Sequence, residues 1–303
     1  MDGSFVDWAD AHVHVMTHSL HYGLAVFEGI RCYKGKSGSA IFRLQEHVDR
    51  LFDSAHIGMM QMPFDKKQVA EAIVETVRVN RLEACYIRPL IYRGYNALGV
   101  NPFPCPVEIA ILTWEWGAYL GQDALERGVD VRIASWARAA PNTFPTLAKS
   151  SANYANSQLI KMEAITEGYS EGSGQNLFIV RDDVIYTPPL TASILPGITR
   201  NSVISIAKDL GFKVSEEMLP RELLYICDEA FFVGTAVEIT PIRSVDKIQV
   251  GQGARGPITT AIQQQFFDII NGKAPDRHDW LSFVYPGQPL AAVGPTAARV
   301  ASR

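Results

Sequence analysis

The chain has 303 residues, of which 47% are hydrophobic and 20% charged, and its formal net charge is −4. Its length suggests two domains, and its composition is that of an ordinary globular protein. The charge gives no sign of a basic face for nucleic acid, and no apolar run is long enough to cross a membrane. Four scattered cysteines without metal-ligand spacing, and an N-terminus without a basic-then-apolar signal segment, predict a cytoplasmic protein with no metal site.

The first part of the chain, residues 1–118, is predicted to form a small α+β domain. Short apolar and polar stretches alternate near the N-terminus, as they do in half-buried strands. Helical spacing then predicts helices over 44–59 and 65–80. The predicted strands of this domain are Phe5–Trp8, Val13–Met16, Val26–Tyr33, Ala40–Arg43, Ala84–Tyr92 and Val107–Thr113.

Residues 119–128 are predicted to connect this domain to a larger one over 129–285. A tail rich in glycine, proline and alanine, 286–303, is predicted to be disordered. In the larger domain, helical spacing after Tyr154 puts three apolar residues on one face, and Leu195–Arg200 opens another helix. The remaining predicted elements are strands at Val131–Trp136, 176–180, 184–187 and 229–233, and a helix over 259–270.

Lys149 lies in a distinctive local sequence. Pro141 and Pro145 favour an extended approach to it, and small residues flank it on both sides. Little bulk around the lysine leaves room for a planar ligand. Taken alone, however, a lysine in such a sequence is more often a solvated surface residue.

Two turns could bind a phosphate group. Leu195–Arg200 opens a helix, whose free N–H groups and dipole favour an anion, and Gly234–Ala236 follows a strand. Each turn alone is more often only a turn, and the chain has no GxxxxGK[ST] loop, GxSxG elbow or HExxH motif. Glu171 precedes a glycine pair and a strand, so it is either part of a polar loop or a carboxylate that holds a proton on a cofactor ring.

Taken together, six motifs resemble one family, the bacterial branched-chain amino acid aminotransferases of class IV, which are fold-type IV pyridoxal-phosphate enzymes. The resemblance extends from about Met1 to Trp280, in the family's order. It implies a two-domain fold of mixed α and β structure with pyridoxal 5'-phosphate bound between the domains. The motifs are Tyr22–Arg31, Tyr86–Leu90, Lys149–Tyr154, Glu171–Phe178, Leu195–Arg200 and Gly234–Ile242.

The resemblance implies roles for individual residues on the cofactor side. Lys149 matches the lysine that holds the cofactor as a Schiff base and then moves the substrate proton. Arg50 matches the phosphate-binding arginine, Tyr154 the partner of the phenolic oxygen, and Glu171 the partner of the pyridine nitrogen. The other implied cofactor-binding residues are Leu195, Gly197, Ile198, Thr199 and Thr235.

On the substrate side, the resemblance implies transamination of leucine, isoleucine and valine with 2-oxoglutarate. Arg88 matches the arginine that also admits the side-chain carboxylate of glutamate, and one pocket wall comes from a neighbouring subunit, which implies a homodimer or larger homo-oligomer. The other implied substrate-binding residues are Tyr22, Phe27, Gly29, Tyr86, Trp116, Tyr119, Thr235 and Ala236. Three alternatives remain open: a D-amino-acid or (R)-amine transaminase, an aminodeoxychorismate lyase, and a poorly active homologue that binds the cofactor.

One departure from the family lies close to Glu171. Gly168-Tyr169 runs directly into Ser170-Glu171, where members of the family have a further strand and turn. We therefore expect the sheet near the cofactor to be altered. Among the implied roles, that of Glu171 is the one this departure affects most.

Overall fold

The computed structural model describes residues 1–117, 123–169 and 173–285, and the predicted tail lies outside them. Within these ranges the chain forms two sheets with helices packed against them, so the predicted mixture of α and β structure is confirmed. The helices are α1 (His18–Tyr22), α2 (Leu44–Ile57), α3 (Lys66–Val79), α4 (Ala124–Arg127), α5 (Asn153–Thr166), α6 (Ile198–Asp209), α7 (Leu223–Ile226) and α8 (Pro257–Ile270). None of these helices is long and apolar enough to cross a membrane.

The first sheet contains the strands β1 (Ala25–Phe27), β2 (Ile30–Gly35), β3 (Gly38–Phe42), β4 (Cys85–Arg93), β5 (Val107–Trp114) and β13 (Leu281–Phe283). Both β1 and β2 pair antiparallel with β4, and β5 pairs with β4 too. Helices α2 and α3 share an apolar core with this sheet, with Val48, Leu51 and Ile73 fully buried. The C-terminal strand β13 pairs with β3, so the end of the described chain returns to the first sheet.

The second sheet contains β6 (Val129–Val131), β7 (Asn176–Arg181), β8 (Val184–Thr187), β9 (Lys213–Glu216), β10 (Glu229–Gly234), β11 (Glu238–Val245) and β12 (Ile248–Gln249). Its strand order is β12-β11-β10-β7-β8-β9, and β6 pairs parallel with β11. Helices α6 and α8 bury residues such as Val203 and Phe266 in one core with this sheet. The carboxylate of Glu229 accepts hydrogen bonds from the first free N–H groups of α8, which fixes where that helix begins.

Several local predictions are wrong. Phe5–Trp8 and Val13–Met16 form no strand, because their alternating apolar residues have no sheet edge to pair with; Trp8 is 75% exposed. The strand predicted over Val131–Trp136 is only β6, which ends at Val131. Helix α5 has the predicted spacing but no buried residue, and Met162 and Ile165 on its apolar face are exposed.

The strand predicted over Val26–Tyr33 breaks into β1 and β2 for a tertiary reason. At the break, the side chain of Glu28 turns into the protein and is fully buried. Gly29 lies so close to Tyr86 that any side chain at position 29 would collide with the tyrosine hydroxyl. This interruption of the sheet lies at the edge of the site described next.

Candidate active site

The backbone of Lys149 is fixed between β1 and α2. Its N–H donates to the hydroxyl of Ser54 at 3.0 Å, and its carbonyl accepts from the N–H of Phe27 at 3.1 Å. Its Nζ donates to the hydroxyl of Tyr154 at 2.6 Å, five residues further along and in the first turn of α5. The same Nζ lies 5.0 Å from the centroid of the Phe27 ring. The Lys149 amine is therefore held in place beside Tyr154 and Phe27, unlike the amine of a solvated surface lysine.

A cavity of about 520 Å³ surrounds the Lys149 side chain. Residues from both sheets line it, together with the start of α5 and the start of α6. Most of the residues implied by the resemblance lie in its wall: Phe27, Gly29, Arg50, Tyr86, Arg88, Trp116, Lys149, Tyr154, Leu195, Gly197, Ile198, Thr199, Thr235 and Ala236.

The N-terminus of α6 forms one end of the cavity. Gly197 is the N-cap residue and has no side chain, so the first N–H groups of the helix have no side-chain cap. An added Cβ at Gly197 would collide with the amide oxygen of Asn176, whose Nδ2 donates to the carbonyl of Leu195 at 3.2 Å. The packing therefore requires glycine here, and the free N–H groups form an anion-binding end of the cavity.

Arg50 brings a positive charge to the same end. Its Nε and Nη2 donate to the two carboxylate oxygens of Glu28, each at 2.7 Å, and its Nη1 donates to the carbonyl of Pro196 at 2.8 Å. His47 Nδ1 lies 2.7 Å from the same carboxylate. Burial alone would raise the pKa of Glu28, but the Arg50 guanidinium and His47 together hold it far below its usual value. Burial lowers the pKa of His47.

The turn Gly234–Ala236 is held from its carbonyl side by Arg31. The Nε of Arg31 donates to the carbonyl of Thr235 and its Nη2 to that of Ala236, each at 2.9 Å. A second contact joins Arg31 to Glu238, at 3.8 Å. Because the carbonyls are bound on one side, the turn is fixed where it meets the cavity.

Arg88 lies among aromatic rings in the wall of the same cavity. Its guanidinium carbon is 4.5 Å from the ring centroid of Phe27, 5.5 Å from that of Tyr86 and 5.8 Å from that of Trp114. Trp116 packs on Tyr86 with ring centroids 4.3 Å apart. The Nε of Arg88 is buried and has no hydrogen-bond partner within the described ranges. A buried cationic donor without a partner is suited to a carboxylate ligand.

The contact between Gly29 and Tyr86 gives a first prediction. Gly29→Ala places a methyl group against the Tyr86 hydroxyl, so we expect a loss of about 1–3 kcal/mol in the free energy of unfolding, as for other overpacked sites. Because the ring carbon Cζ of Tyr86 lies only 2.8 Å from the added Cβ, the test removes the whole ring. Denaturant unfolding of Gly29→Ala, Tyr86→Ala and the double variant measures the effect. Gly29→Ala should cost much less in the Tyr86→Ala background than in the wild type; an equal cost in both backgrounds would contradict the steric explanation.

One implied site residue of the described ranges does not line the cavity, and two others lie outside those ranges. Tyr22 is 44% exposed, and its hydroxyl accepts from the N–H of Gly99 at 3.1 Å, so it does not line the cavity of its own chain. Glu171 and Tyr119 lie outside the described residues. Conversely, sequence reasoning missed Glu28 and Arg31, although both belong to the Tyr22–Arg31 motif. The sequence did contain a signal for both residues, because each is a charged residue within an otherwise apolar strand pattern.

No group of three or more potential metal-binding side chains is found in the part of the chain that the structure describes. The polar groups of the cavity wall include the Lys149 amine, two guanidinium groups and the N–H groups at the start of α6. Such groups are suited to a phosphorylated aldehyde and to carboxylates.

The fold and this site together define a class of enzyme. The family model of amino-transferase class IV matches residues 25–245, and the chain belongs to that family. Enzymes of this class depend on pyridoxal phosphate. Lys149, the uncapped start of α6 and Arg50 fit that cofactor, because they supply an amine, backbone donors and a positive charge around one cavity.

Its relatives are closely similar. The branched-chain-amino-acid aminotransferase of Escherichia coli K12 is 50% identical over 297 residues, covering 93% of this chain and 96% of the relative. The crystal structure of the Escherichia coli enzyme superposes with a TM-score of 0.92 at 49% identity, covering 94% of this chain and 98% of that one. The branched-chain amino acid aminotransferase from Thermobaculum terrenum, solved in its PLP-form, has a TM-score of 0.87 at 32% identity, covering 94% and 97%.

The alignment also bears on the expected missing segment. The alignment with the Escherichia coli K12 enzyme is 297 positions long, which is more than 93% of this 303-residue chain. Some positions of that relative therefore have no counterpart in this chain. The absence of a segment next to Glu171 stays a prediction.

Proposed function

We propose that this chain transfers the amino group of branched-chain L-amino acids to 2-oxoglutarate. The observation that carries the proposal is the placement of an amine and a guanidinium on one aromatic wall. Lys149 Nζ and the Arg88 guanidinium lie 5.0 Å and 4.5 Å from the centroid of the Phe27 ring, within a single cavity. A reactive amine beside a carboxylate-binding site is the arrangement that an amino-acid transaminase needs.

Bound pyridoxal phosphate supplies an electron sink for negative charge that develops at the substrate Cα. The chain supplies the proton transfer. Lys149 would take the proton from the substrate Cα and deliver it to C4′ of the cofactor, and the Tyr154 hydroxyl, 2.6 Å from its Nζ, orients that amine. The start of α6 and Arg50 bind the phosphate, and the Gly234–Ala236 turn presents its N–H groups to the substrate carboxylate. Glu171 remains our prediction for the partner of the pyridine nitrogen.

The residues on the substrate side of the cavity explain how one pocket binds both a branched-chain amino acid and 2-oxoglutarate. Phe27, Tyr86 and Trp116 offer apolar surface, and burying an aliphatic side chain there contributes about 1.5–3 kcal/mol. Arg88 lies against two of these rings, Phe27 and Tyr86, with a buried Nε that has no partner in the described ranges. A branched aliphatic chain packs on the rings, whereas the side-chain carboxylate of glutamate or 2-oxoglutarate pairs with Arg88.

This dual use of the wall gives a second prediction. Arg88→Met keeps a flexible apolar side chain but removes the charge, so we expect the KM for 2-oxoglutarate to rise about 10-fold or more, in line with loss of a charged hydrogen bond. The KM for L-leucine should change much less. Steady-state kinetics with both substrates measures the split, and an equal rise for the two would contradict the role of Arg88.

A substrate panel tests the proposed function itself. Rates with L-leucine, D-alanine and (R)-phenylethylamine, each with 2-oxoglutarate as acceptor, separate the candidates, and we expect L-leucine to be fastest. Faster turnover of D-alanine or (R)-phenylethylamine would favour the other transaminases of this fold. A protein that binds pyridoxal phosphate but converts none of the three would be the poorly active homologue.

We further propose a cytoplasmic homodimer or larger homo-oligomer. The four cysteines are free and buried, which suits a reducing compartment. Tyr22 is exposed next to Leu20, and neither lines the cavity of its own chain. A second subunit would bring Tyr22 to a substrate pocket, as the family resemblance implies. Sedimentation equilibrium tests this, and a monomer with full activity would exclude it.

A further inference from the structure

Three basic residues lie along one face of α2 and its N-cap, and two of them donate to backbone carbonyls at the start of α6. Arg43, the N-cap residue, is followed by His47 four residues later and Arg50 seven residues later, which is the spacing of one helical face. Arg50 lines the cavity, whereas Arg43 does not. The side chain of Arg43 is nevertheless only 9% exposed, so its guanidinium contacts other residues inside the protein.

Arg43 bonds to the first turn of α6. Its Nη1 lies 2.8 Å from the side-chain oxygen of Asn201, 3.0 Å from the hydroxyl of Ser202 and 3.3 Å from the carbonyl of Ile198. The Ser202 hydroxyl also donates to the Ile198 carbonyl, at 3.0 Å. All three acceptors belong to the first five residues of α6, so one guanidinium holds the start of that helix.

The guanidinium itself is fixed on its other sides. Its Nε donates to Glu46 at 2.7 Å, and its carbon lies 5.2 Å from the centroid of the Trp280 ring. The backbone N–H of Arg43 donates to the Trp280 carbonyl at 2.6 Å. The residue has φ of 54°, in the left-handed region that residues other than glycine rarely adopt. Such a conformation persists where the surrounding contacts determine it.

The contact matters because the phosphate site is divided between two helices. The free N–H groups come from the start of α6, and the positive charge comes from Arg50 on α2. Their relative position is set by the contacts between α2 and the start of α6. Among the contacts that the structure describes, those of Arg43 to Ile198, Asn201 and Ser202 join these two segments directly, as does that of Arg50 to Pro196.

We infer that Arg43 is a positioning residue for the cofactor phosphate. It holds the start of α6 against α2, so that the N–H groups of Ile198 and Thr199 and the guanidinium of Arg50 face the same phosphate. This inference rests on the proposed function, since it assumes pyridoxal phosphate in the cavity. It assigns Arg43 no contact with the cofactor or the substrate.

The test compares a ligand that has the phosphate with one that lacks it. Apo-protein is titrated with pyridoxal phosphate and with pyridoxal in equilibrium dialysis, for the wild type and Arg43→Gln. We expect Arg43→Gln to weaken pyridoxal phosphate about 10-fold, the equivalent of one misplaced charged hydrogen bond, and to leave pyridoxal within about 2-fold. An equal loss for the two ligands, or no loss for either, would overturn the inference.

Two control variants test whether the effect comes from the bonds between Arg43 and α6. Glu46→Gln removes the charge partner of Arg43 but none of its bonds to α6, and Arg78→Gln removes an arginine of α3 that bonds Glu75 and the Val284 carbonyl. Both should keep the wild-type ratio of the two affinities. If Arg43→Gln does not fold, Arg43→Lys serves instead, with a smaller shift in the same ratio because lysine cannot reach all three acceptors. A wild type that binds both ligands equally would refute the proposed phosphate site itself.

Discussion

Replacing Lys149 by alanine should abolish transamination. The side chain brings its amine to Tyr154, with Nζ 2.6 Å from the hydroxyl, and its backbone is bonded to Ser54 and Phe27. Loss of a positioned general base alone lowers a rate by about 100- to 10,000-fold, and the covalent attachment of the cofactor is lost as well. We therefore expect kcat with L-leucine to fall by at least about 10,000-fold.

A second readout separates this chemical role from damage to the fold. After reduction with borohydride, mass spectrometry should find the cofactor attached to Lys149 in the wild type and no attached cofactor in Lys149→Ala. Lys208→Ala is the matched control, because that lysine lies in the last turn of α6 and outside the cavity wall. Attachment of the cofactor to a different lysine in the wild type would refute the assignment.

The elements predicted best from sequence are those whose cause is local. Helix α3 begins at a capping box formed by Asp65 and Gln68, and its apolar residues Val69, Ile73 and Val77 are buried as their spacing predicts. Strand β5 pairs with β4 over its whole length, from Tyr86 to Arg93 of β4. In both cases the sequence pattern and the tertiary surroundings favour the same structure.

The elements predicted wrongly depend on distant partners. The alternation around Trp8 is typical of a strand, but a strand forms only where another strand accepts its hydrogen bonds. The break at Glu28 follows from a bond to Arg50, 22 residues away. Arg43 was predicted only as the last residue of a strand, because its partners on α6 lie more than 150 residues further along the chain.

The candidate site likewise combines features that the sequence indicates with contacts that depend on distant partners. Single motifs leave Lys149 and the two turns ambiguous, and only their joint resemblance to a known family implies a cofactor site. The structure brings Lys149, Arg50 and the start of α6 to one cavity. No periodicity in the sequence reveals that Glu28 binds Arg50 or that Arg31 binds the Thr235 carbonyl, since both contacts arise only in the folded chain.

Of the substitutions proposed for this protein, Glu28→Gln should cause the largest decrease in the free energy of unfolding. The carboxylate is fully buried and compensates the buried Arg50 guanidinium with two hydrogen bonds of 2.7 Å. Removing one partner of a buried ion pair costs about 3–5 kcal/mol, because the remaining charge is left uncompensated. We expect that decrease in the free energy of unfolding at pH 7, measured by denaturant titration. Glu83→Gln breaks the exposed pair with Lys34 and should cost at most about 1 kcal/mol.

The same carboxylate makes the stability of the wild type depend on pH. The pKa of Glu28 is far lower in the folded protein than in the unfolded chain, so the unfolded chain binds more protons in acid. The stabilisation is therefore complete above the ordinary glutamate pKa of about 4.3 and is lost progressively as the pH falls below it. His47 acts in the same direction at higher pH, because burial lowers its pKa and the unfolded chain takes up its proton first, from about pH 6.5 downward.

These two groups predict stepwise acid destabilisation. The free energy of unfolding of the wild type should fall from about pH 6.5 and fall more steeply below about pH 4.3. Glu28→Gln should have a shallower second step, because glutamine does not titrate. The remaining slope comes from carboxylates such as Asp130 and Asp246, whose pKa values are also lowered in the folded protein. His47→Gln should lack the first step. A second step as steep in Glu28→Gln as in the wild type would contradict Glu28 as the main group behind it.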